Sequence, residues 1–145
     1  RIYDEHYQRG MLTDEIYQMY LDKGLKNAKI IADSAEKRLI TEIKRKGISN
    51  LKPSIKGQGS IMQGVQFIQG FKIYVHPTCE HTIEELNTYT FDQDKDGNWL
   101  NKPIDANNHL MDALRYSLEE FHFPRNNRTN VNIKKNISRA KAMGL

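Results

Sequence analysis

The sequence predicts an α/β fold in which helices pack against a sheet. Residues 29–32 form a short apolar run of the kind found in buried parallel strands, and residues 71–76 form a second run rich in β-formers. Apolar residues recur with helical spacing in the segments around both runs. Strands that alternate with helices are typical of α/β domains, and a chain of 145 residues suits one compact domain.

The first part of the chain predicts a strand over residues 1–8, a turn at Arg9-Gly10 and a helix over residues 13–23. Thr13 is a candidate N-cap, and Gly24 is a candidate C-terminal cap because glycine tolerates the left-handed conformation. The apolar stripe of this helix consists of Ile16, Met19 and Tyr20.

The middle of the chain predicts two further helices. Residues 34–46 have helical apolar spacing and stop at Gly47, and residues 60–69 repeat that spacing after a glycine-rich turn. The strand at 29–32 ends at Asp33, directly before the first of these helices.

The C-terminal half predicts a helix, a hairpin and a last helix. Thr82 and Glu85 have the spacing of a capping box, which indicates a helix that starts at Thr82. Residues 89–100 predict a hairpin that turns at 95–97, and residues 108–121 predict a helix. We expect its apolar face to consist of Leu110, Leu114, Leu118 and Phe121.

Positive charge is unevenly distributed, although the net charge is only +4. One basic cluster lies between Lys37 and Lys46 and includes Arg38, and a second lies within residues 124–145. Basic patches of this kind commonly bind nucleic acid, and the alternative is a solvated surface face. Residues 124–145 have few apolar anchors, so we expect a basic C-terminal tail after a domain over residues 1–123.

Several protein classes are not expected. The sequence has no apolar run near the roughly 18 residues of a membrane span, and it does not start with a signal-peptide pattern. Its single cysteine, Cys79, cannot form an internal disulfide, which favours a reducing compartment.

Asp33 is the first candidate for a metal ligand. It follows a predicted strand, and functional groups in open α/β sheets gather at the carboxyl ends of strands. A carboxylate at that position suits a hard cation. The alternative is a helix N-cap, since Glu36 follows three residues later.

His109 and Asp112 are the second candidates. With Tyr116 they lie on one stripe of the last predicted helix, next to its apolar face. Carboxylates suit Mg²⁺ and Mn²⁺, and two ions about 4 Å apart would activate water against a phosphodiester. The alternative is that Asp112 pairs with Arg115 or Arg38 and that His109 packs or caps.

Two other patterns carry less specific signals. Asp92, Asp94, Asp96 and Gly97 imitate the start of a calcium loop, but the twelfth residue is proline, so we interpret the run as a hairpin turn. The turn with Lys56, Gly57 and Gly59 precedes a helix, where backbone amides can bind a DNA phosphate, and a plain helix start is the alternative. It lacks the P-loop pattern.

Four motifs in order resemble those of a known family. They are Ile31-Ala32-Asp33-Ser34-Ala35-Glu36, Lys56-Gly57-Gln58-Gly59-Ser60-Ile61, Glu84-Glu85-Leu86-Asn87-Thr88-Tyr89 and Asn108-His109-Leu110-Met111-Asp112-Ala113-Leu114-Arg115-Tyr116. Together they resemble the C-terminal nuclease domain of the large terminase subunit of tailed bacteriophages. The last motif is the most specific, and the resemblance covers most of residues 1–120.

The resemblance implies a ribonuclease H-like fold, with a mixed and mostly parallel central sheet flanked by helices. It implies an endonuclease that uses Mg²⁺ or Mn²⁺, as two ions, to cleave concatemeric viral DNA during packaging. By position Asp33 and Asp112 match two of the family's acids, and His109 matches a histidine beside the metals. Lys56 and the glycines Gly57 and Gly59 match a loop near DNA.

Other expectations follow from the resemblance. We expect the basic residues Lys37 and Arg38 to contact double-stranded DNA, and we expect the portal protein and the small terminase subunit as partners in the host cytoplasm. One departure is that no acid upstream of Asp33 has the setting of the family's first acid, so the nuclease domain is expected to be incomplete at its N-terminus. The alternatives are an inactive DNA- or protein-binding remnant and another ribonuclease H-like nuclease, such as a junction resolvase.

Overall fold

The structure, a computed structural model, describes residues 1–55 and 59–122. Within these ranges the helices are α1 (Thr13–Asp22), α2 (Lys37–Arg45), α3 (Ser60–Gln69), α4 (Glu80–Thr88) and α5 (His109–His122). The strands are β1 (Ile30–Ala32), β2 (Leu51–Pro53), β3 (Phe91–Gln93) and β4 (Trp99–Pro103). This order confirms the α/β class, and among the described residues no helix is long and apolar enough to cross a membrane.

The strands form two separate pairs. Strands β1 and β2 are parallel, with Ile30 opposite Leu51, and β3 and β4 form an antiparallel hairpin. The predicted strands at 1–8 and 71–76 are wrong as strands, because the two segments share only one parallel bridge between Ile2 and Val75. Strand β2 was not predicted, since a three-residue run that ends in proline has no strand periodicity of its own.

The core lies between the parallel strands and the first two helices. Its buried centre is Ile40 and Ile43 of α2 with Ile48 and Leu51, packed against side chains of α1 and β1. Gly24 and Gly47 end α1 and α2 with positive φ angles, and the amides after them reach back to Tyr20 and Ile43. These are Schellman motifs, so both predicted helix ends are confirmed.

Several predicted helix starts are wrong. Leu12, not Thr13, is the N-cap of α1, and the Glu15 carboxylate accepts its N–H. The capping box at Thr82 and Glu85 does not form, because α4 begins at Glu80 and both side chains bind distant groups. The predicted span of α3 matches the observed one.

Helix α5 buries a different face from the predicted one. Its buried positions are Met111, Arg115 and Glu119, which follow one another at intervals of four residues. Phe121, expected on the apolar face, is 75% exposed. The leucines Leu110, Leu114 and Leu118 instead line an open groove against the N-terminal segment. The buried stripe of α5, which packs against β1, therefore combines an apolar residue with two charged ones.

Candidate active site

An open cleft of about 600 Å³ lies where the start of α3, the end of β4 and the first half of α5 meet. Its charged lining includes Lys102, Asp105, Asp112 and Arg115, and its tyrosines are Tyr89 and Tyr116. Asp112 is the sequence-predicted acid that lies here, and it comes from the first turn of α5.

Asp112 is held by an ion pair within its own helix. Its Oδ1 accepts a hydrogen bond of 2.6 Å from the Arg115 guanidinium, three residues along the chain. Burial by itself would lower the pKa of Arg115, but the bond to the Asp112 carboxylate raises it. Arg38 pairs instead with Glu42, at 2.8 Å. The Asp112–Arg115 alternative is therefore confirmed, and the guanidinium fixes the carboxylate.

Asp33 lies at the carboxyl end of β1, as predicted. Its Oδ1 accepts the N–H of Ala35 at 2.9 Å, which makes a tight turn ahead of the helix. The N-cap interpretation of Asp33 is wrong, because α2 begins at Lys37 with Glu36 as its N-cap. The N–H of Ser34 donates to the Ser54 hydroxyl at 3.1 Å, so this turn is tied to the end of β2.

The pKa of the Tyr116 phenol responds to the charges of both acids. Burial raises the pKa of Tyr116, and the negative charges of Asp112 and Asp33 raise it further. Because β1 packs against α5, carboxylates from two separate elements act on the same hydroxyl. The structure therefore brings Asp33 and Asp112 into one electrostatic environment.

His109 is placed differently. It is exposed, and its ring centroid lies 6.3 Å from that of Tyr7, which in turn stacks on His81 at 4.4 Å. His109 is one turn from Asp112 on α5, but it is not among the residues that line the cleft.

The predicted DNA-binding residues fall into three groups. Lys56 and Gly57 lie outside the described residues. Gly59 has a φ of 74° and lines the cleft at the start of α3. Lys37 and Arg38 are exposed at the start of α2, where the bond to Glu42 raises the pKa of Arg38.

Sequence reasoning missed a buried acid that positions the site. The Glu85 carboxylate on α4 accepts the N–H groups of Leu110 and Met111, at 2.7 and 3.0 Å. Glu85 thereby caps the N-terminus of α5, the helix that carries His109 and Asp112. The contact spans 25 residues, so local spacing gave no signal for it.

Asp105 and Lys102 were also missed. Both line the cleft, and Lys102 pairs with Asp92 across the hairpin at 2.9 Å. Burial raises the pKa of Tyr89, and the negative charge of Asp112 raises it further. The positive charge of Arg115 lowers this pKa, and the negative charge of Asp105 raises it by a smaller amount. The sequence signal that could have identified Asp105 is its position between the predicted hairpin and the last predicted helix.

The aspartate run at 92–97 forms the predicted hairpin turn. Asp94 accepts hydrogen bonds from the N–H groups of Asp96 and Asn98 and from the Asn98 side chain, all within 3.0 Å. These hydrogen bonds lower the pKa of Asp94, and the bond from the Asn98 side chain lowers it most. The carboxylate serves the turn, which supports the hairpin interpretation over the calcium loop.

The two carboxylates suit a hard divalent cation whose remaining ligands are water and substrate phosphates. In the ranges that the structure describes, no three His, Cys, Asp or Glu side chains group as a metal site. Mg²⁺ is usually bound through one or two carboxylates, with waters and substrate phosphates completing its shell. Asp33 and Asp112 fit that chemistry.

Comparisons with known proteins identify relatives of this chain. Residues 1–120 match the family described as the terminase RNAseH like domain. The chain is 31% identical over 122 residues to the PBSX phage terminase large subunit of Bacillus subtilis (strain 168), covering 83% of this chain and 28% of that protein. It is 32% identical over 96 residues to the terminase large subunit of Bacillus phage SPP1, covering 64% of this chain and 23% of that protein.

A solved structure extends the comparison to the fold. The crystal structure of the large terminase nuclease domain from the bacteriophage SPP1 with bound Mn is similar to this chain, with a TM-score of 0.76 and 26% identity. The match covers 82% of this chain and 70% of that chain. This chain spans about a quarter of the length of the two curated relatives, 28% and 23%. The chain therefore belongs to the RNase H-like nuclease domain family of terminase large subunits.

Proposed function

We propose that the chain is the metal-dependent DNA endonuclease domain of a terminase large subunit and cleaves concatemeric viral DNA during genome packaging. The observation that carries the proposal is that β1, which ends directly before Asp33, packs against α5, which carries Asp112 in the open cleft. The similarity to a nuclease domain with bound Mn supports it.

In this proposal Asp33 and Asp112 hold two Mg²⁺ or Mn²⁺ ions. When bound, such ions activate water and stabilise the leaving oxygen of a phosphodiester. Arg115 holds the Asp112 carboxylate in place, and Glu85 fixes the start of α5. His109, which lies against Tyr7, assists from the first turn of that helix.

Several residues have proposed roles in DNA binding. The residues proposed to contact the backbone of double-stranded DNA are Lys37, Arg38, Lys56, Gly57 and Gly59. Contacts with the backbone require no reading of base sequence. The nuclease domain spans residues 1–123, and the basic residues 124–145 add electrostatic attraction. Because the matched relatives are terminase large subunits, the portal protein and small terminase subunit are the proposed partners, in the host cytoplasm.

The test is cleavage of supercoiled plasmid by the chain with Mn²⁺, with EDTA as the blank. Asp112→Asn should abolish cleavage and leave DNA affinity nearly unchanged. Asp96→Asn is the matched control, since Asp96 is an exposed aspartate of the hairpin turn. This variant should cleave plasmid as the wild type does. Equal cleavage by the wild type and Asp112→Asn would sink the assignment. Preference for branched DNA over linear duplex would indicate a junction resolvase.

One observation favours a second function, DNA binding without cleavage. The Asp112 Oδ1 is already bound by Arg115 at 2.6 Å, which competes with a metal ion for that oxygen. This alternative expects salt-sensitive DNA binding and no Mn²⁺-dependent nicking by the wild-type chain.

A further inference from the structure

Glu119 is a buried acid on α5 that lies outside the pair of acids proposed to hold the metal ions. It is not among the residues that line the cleft, and its Oε2 accepts the backbone N–H of Ile55 at 2.7 Å. Since Ile55 comes two residues after the end of β2, this hydrogen bond joins the last helix to the end of a parallel strand. A buried carboxyl group is costly unless donors satisfy it, so the bond stabilises both elements where they meet.

Ser54, the first residue after β2, is also buried, and it holds the Asp33 turn (residues 32–35). Its N–H donates to the Ala32 carbonyl at 2.8 Å, and its hydroxyl accepts the N–H of Ser34 at 3.1 Å. These two bonds lie on either side of Asp33 in the chain. The backbone at Asp33 is therefore positioned by one residue at the end of β2.

These contacts join into one path because Ser54 and Ile55 are adjacent in the chain. The path runs from the Asp33 turn through these two residues to Glu119. Glu119 lies seven residues after Asp112, which is close to two full turns of helix, so both side chains leave α5 on the same side. Hydrogen bonds therefore connect the backbone of one predicted metal ligand to the helix that carries the other.

We propose that Ser54 and Glu119 are positioning residues, which hold the Asp33 turn at a fixed place relative to α5 and so set the spacing of the Asp33 and Asp112 carboxylates. Neither residue is a metal ligand, and both act through backbone groups. Their effect on a metal ion rests on the proposed function. Mg²⁺ demands near-ideal octahedral geometry, whereas Ca²⁺ accepts irregular geometry. A fixed spacing of the two carboxylates therefore favours Mg²⁺ over Ca²⁺.

The link itself is tested without metal, by amide hydrogen exchange of the full chain, followed by NMR in buffer with EDTA. Glu119→Leu removes the acceptor of the Ile55 N–H. The Ser34 amide, whose acceptor is the Ser54 hydroxyl, should then exchange about tenfold faster than in the wild type, because local opening of the turn becomes easier. Glu119→Gln keeps an acceptor oxygen at this position and should preserve slow exchange of the Ser34 amide.

The consequence for the metal site is tested by Mn²⁺ binding, measured from the EPR signal of the free ion, with Mg²⁺ and Ca²⁺ as competitors. Ser54→Ala and Glu119→Leu should each weaken Mn²⁺ binding about tenfold, a common cost of losing an outer-shell partner of a metal ligand. Both variants should weaken Mg²⁺ binding more than Ca²⁺ binding. Since either change breaks the same path, the double variant should bind Mn²⁺ little worse than each single variant.

Thr82→Val is the control for a general loss of stability, because it removes another buried hydroxyl, which donates to Glu5 at 2.6 Å, and it should leave Mn²⁺ affinity unchanged. The proposal is overturned if Ser54→Ala and Glu119→Leu bind Mn²⁺ as tightly as this control, or weaken Mg²⁺ and Ca²⁺ binding equally. Unchanged exchange of the Ser34 amide in Glu119→Leu would also overturn it. A wild-type chain that binds no Mn²⁺ would reject the proposed function, while faster Ser34 exchange in Glu119→Leu would still support the link.

Discussion

At the residue scale, two glutamates cap helices that lie elsewhere in the sequence. Glu5 accepts the N–H groups of His81 and Thr82 at the start of α4, at 3.0 and 2.8 Å. Glu85 does the same for Leu110 and Met111 at the start of α5. Both carboxylates satisfy orphan amides at the start of a helix. The position of the candidate site therefore depends on long-range capping.

Replacing Glu85 tests this capping. Glu85→Gln keeps the size of the side chain but removes the charge, so the free energy of unfolding should fall by about 1–3 kcal/mol. Urea denaturation measures the change. Glu84→Gln, on the same helix and exposed, is the control and should be nearly neutral. Equal losses in the two variants would contradict the capping role.

Glu5 gives a prediction for the pH dependence of stability. Burial by itself would raise the pKa of this carboxyl, but hydrogen bonds from Thr82 and His81 outweigh it and lower the pKa from 4.5 to about 2. A group with a depressed folded-state pKa stabilises the fold above its unfolded pKa and loses that contribution as the pH falls. Stability should therefore decrease from pH 4.5 down to about 2.

Thermal unfolding across that range checks the prediction with matched variants. Glu5→Gln should be less stable at neutral pH and should lose less stability on acidification than the wild type. Glu80→Gln, at an exposed residue of the helix that Glu5 caps, should keep the wild-type slope. A wild-type slope in Glu5→Gln would show that Glu5 does not carry the effect.

At the element scale, local signals predicted the helix ends and the hairpin. Glycines predicted the ends of α1 and α2, and the aspartate-rich turn predicted the hairpin of β3 and β4. Each of these features is built by residues that are close in sequence. Strand β2 and the start of α4 were missed because they depend on distant partners, Ile30–Ala32 for the strand and Glu5 for the helix. Asp33 and Asp112 were predicted site residues, but the packing of β1 against α5 that relates them required the tertiary fold.

Gly24 tests the importance of local helix termination. Its φ is +68°, and a Cβ at this position would meet nothing within 4 Å, so any cost of substitution comes from the backbone alone. Gly24→Ala should lower the free energy of unfolding by about 1 kcal/mol, and Gly24→Asn should lower it less because asparagine tolerates this conformation. Chemical denaturation measures both. Equal effects of alanine and asparagine would contradict the backbone explanation.

At the scale of the whole molecule, the charge is positive and concentrated in separate segments. Binding that neutralises DNA phosphates releases counterions, so affinity should fall steeply with salt. Lys37→Gln should reduce the slope of log affinity against log salt by about 1, since one phosphate contact is lost. Lys26→Gln, at an exposed residue after α1, should leave the slope unchanged. Unchanged slopes in both variants would remove Lys37 from the DNA-binding surface.

The central claim is that Asp33 and Asp112 together hold a divalent cation. The most direct measurement is an anomalous difference map from crystals of the chain soaked in Mn²⁺. We expect a peak between the two carboxylates, with Asp112 still in contact with Arg115 or released from it. A map with manganese bound elsewhere, such as at Asp92 and Asp94, and none between Asp33 and Asp112 would contradict the claim.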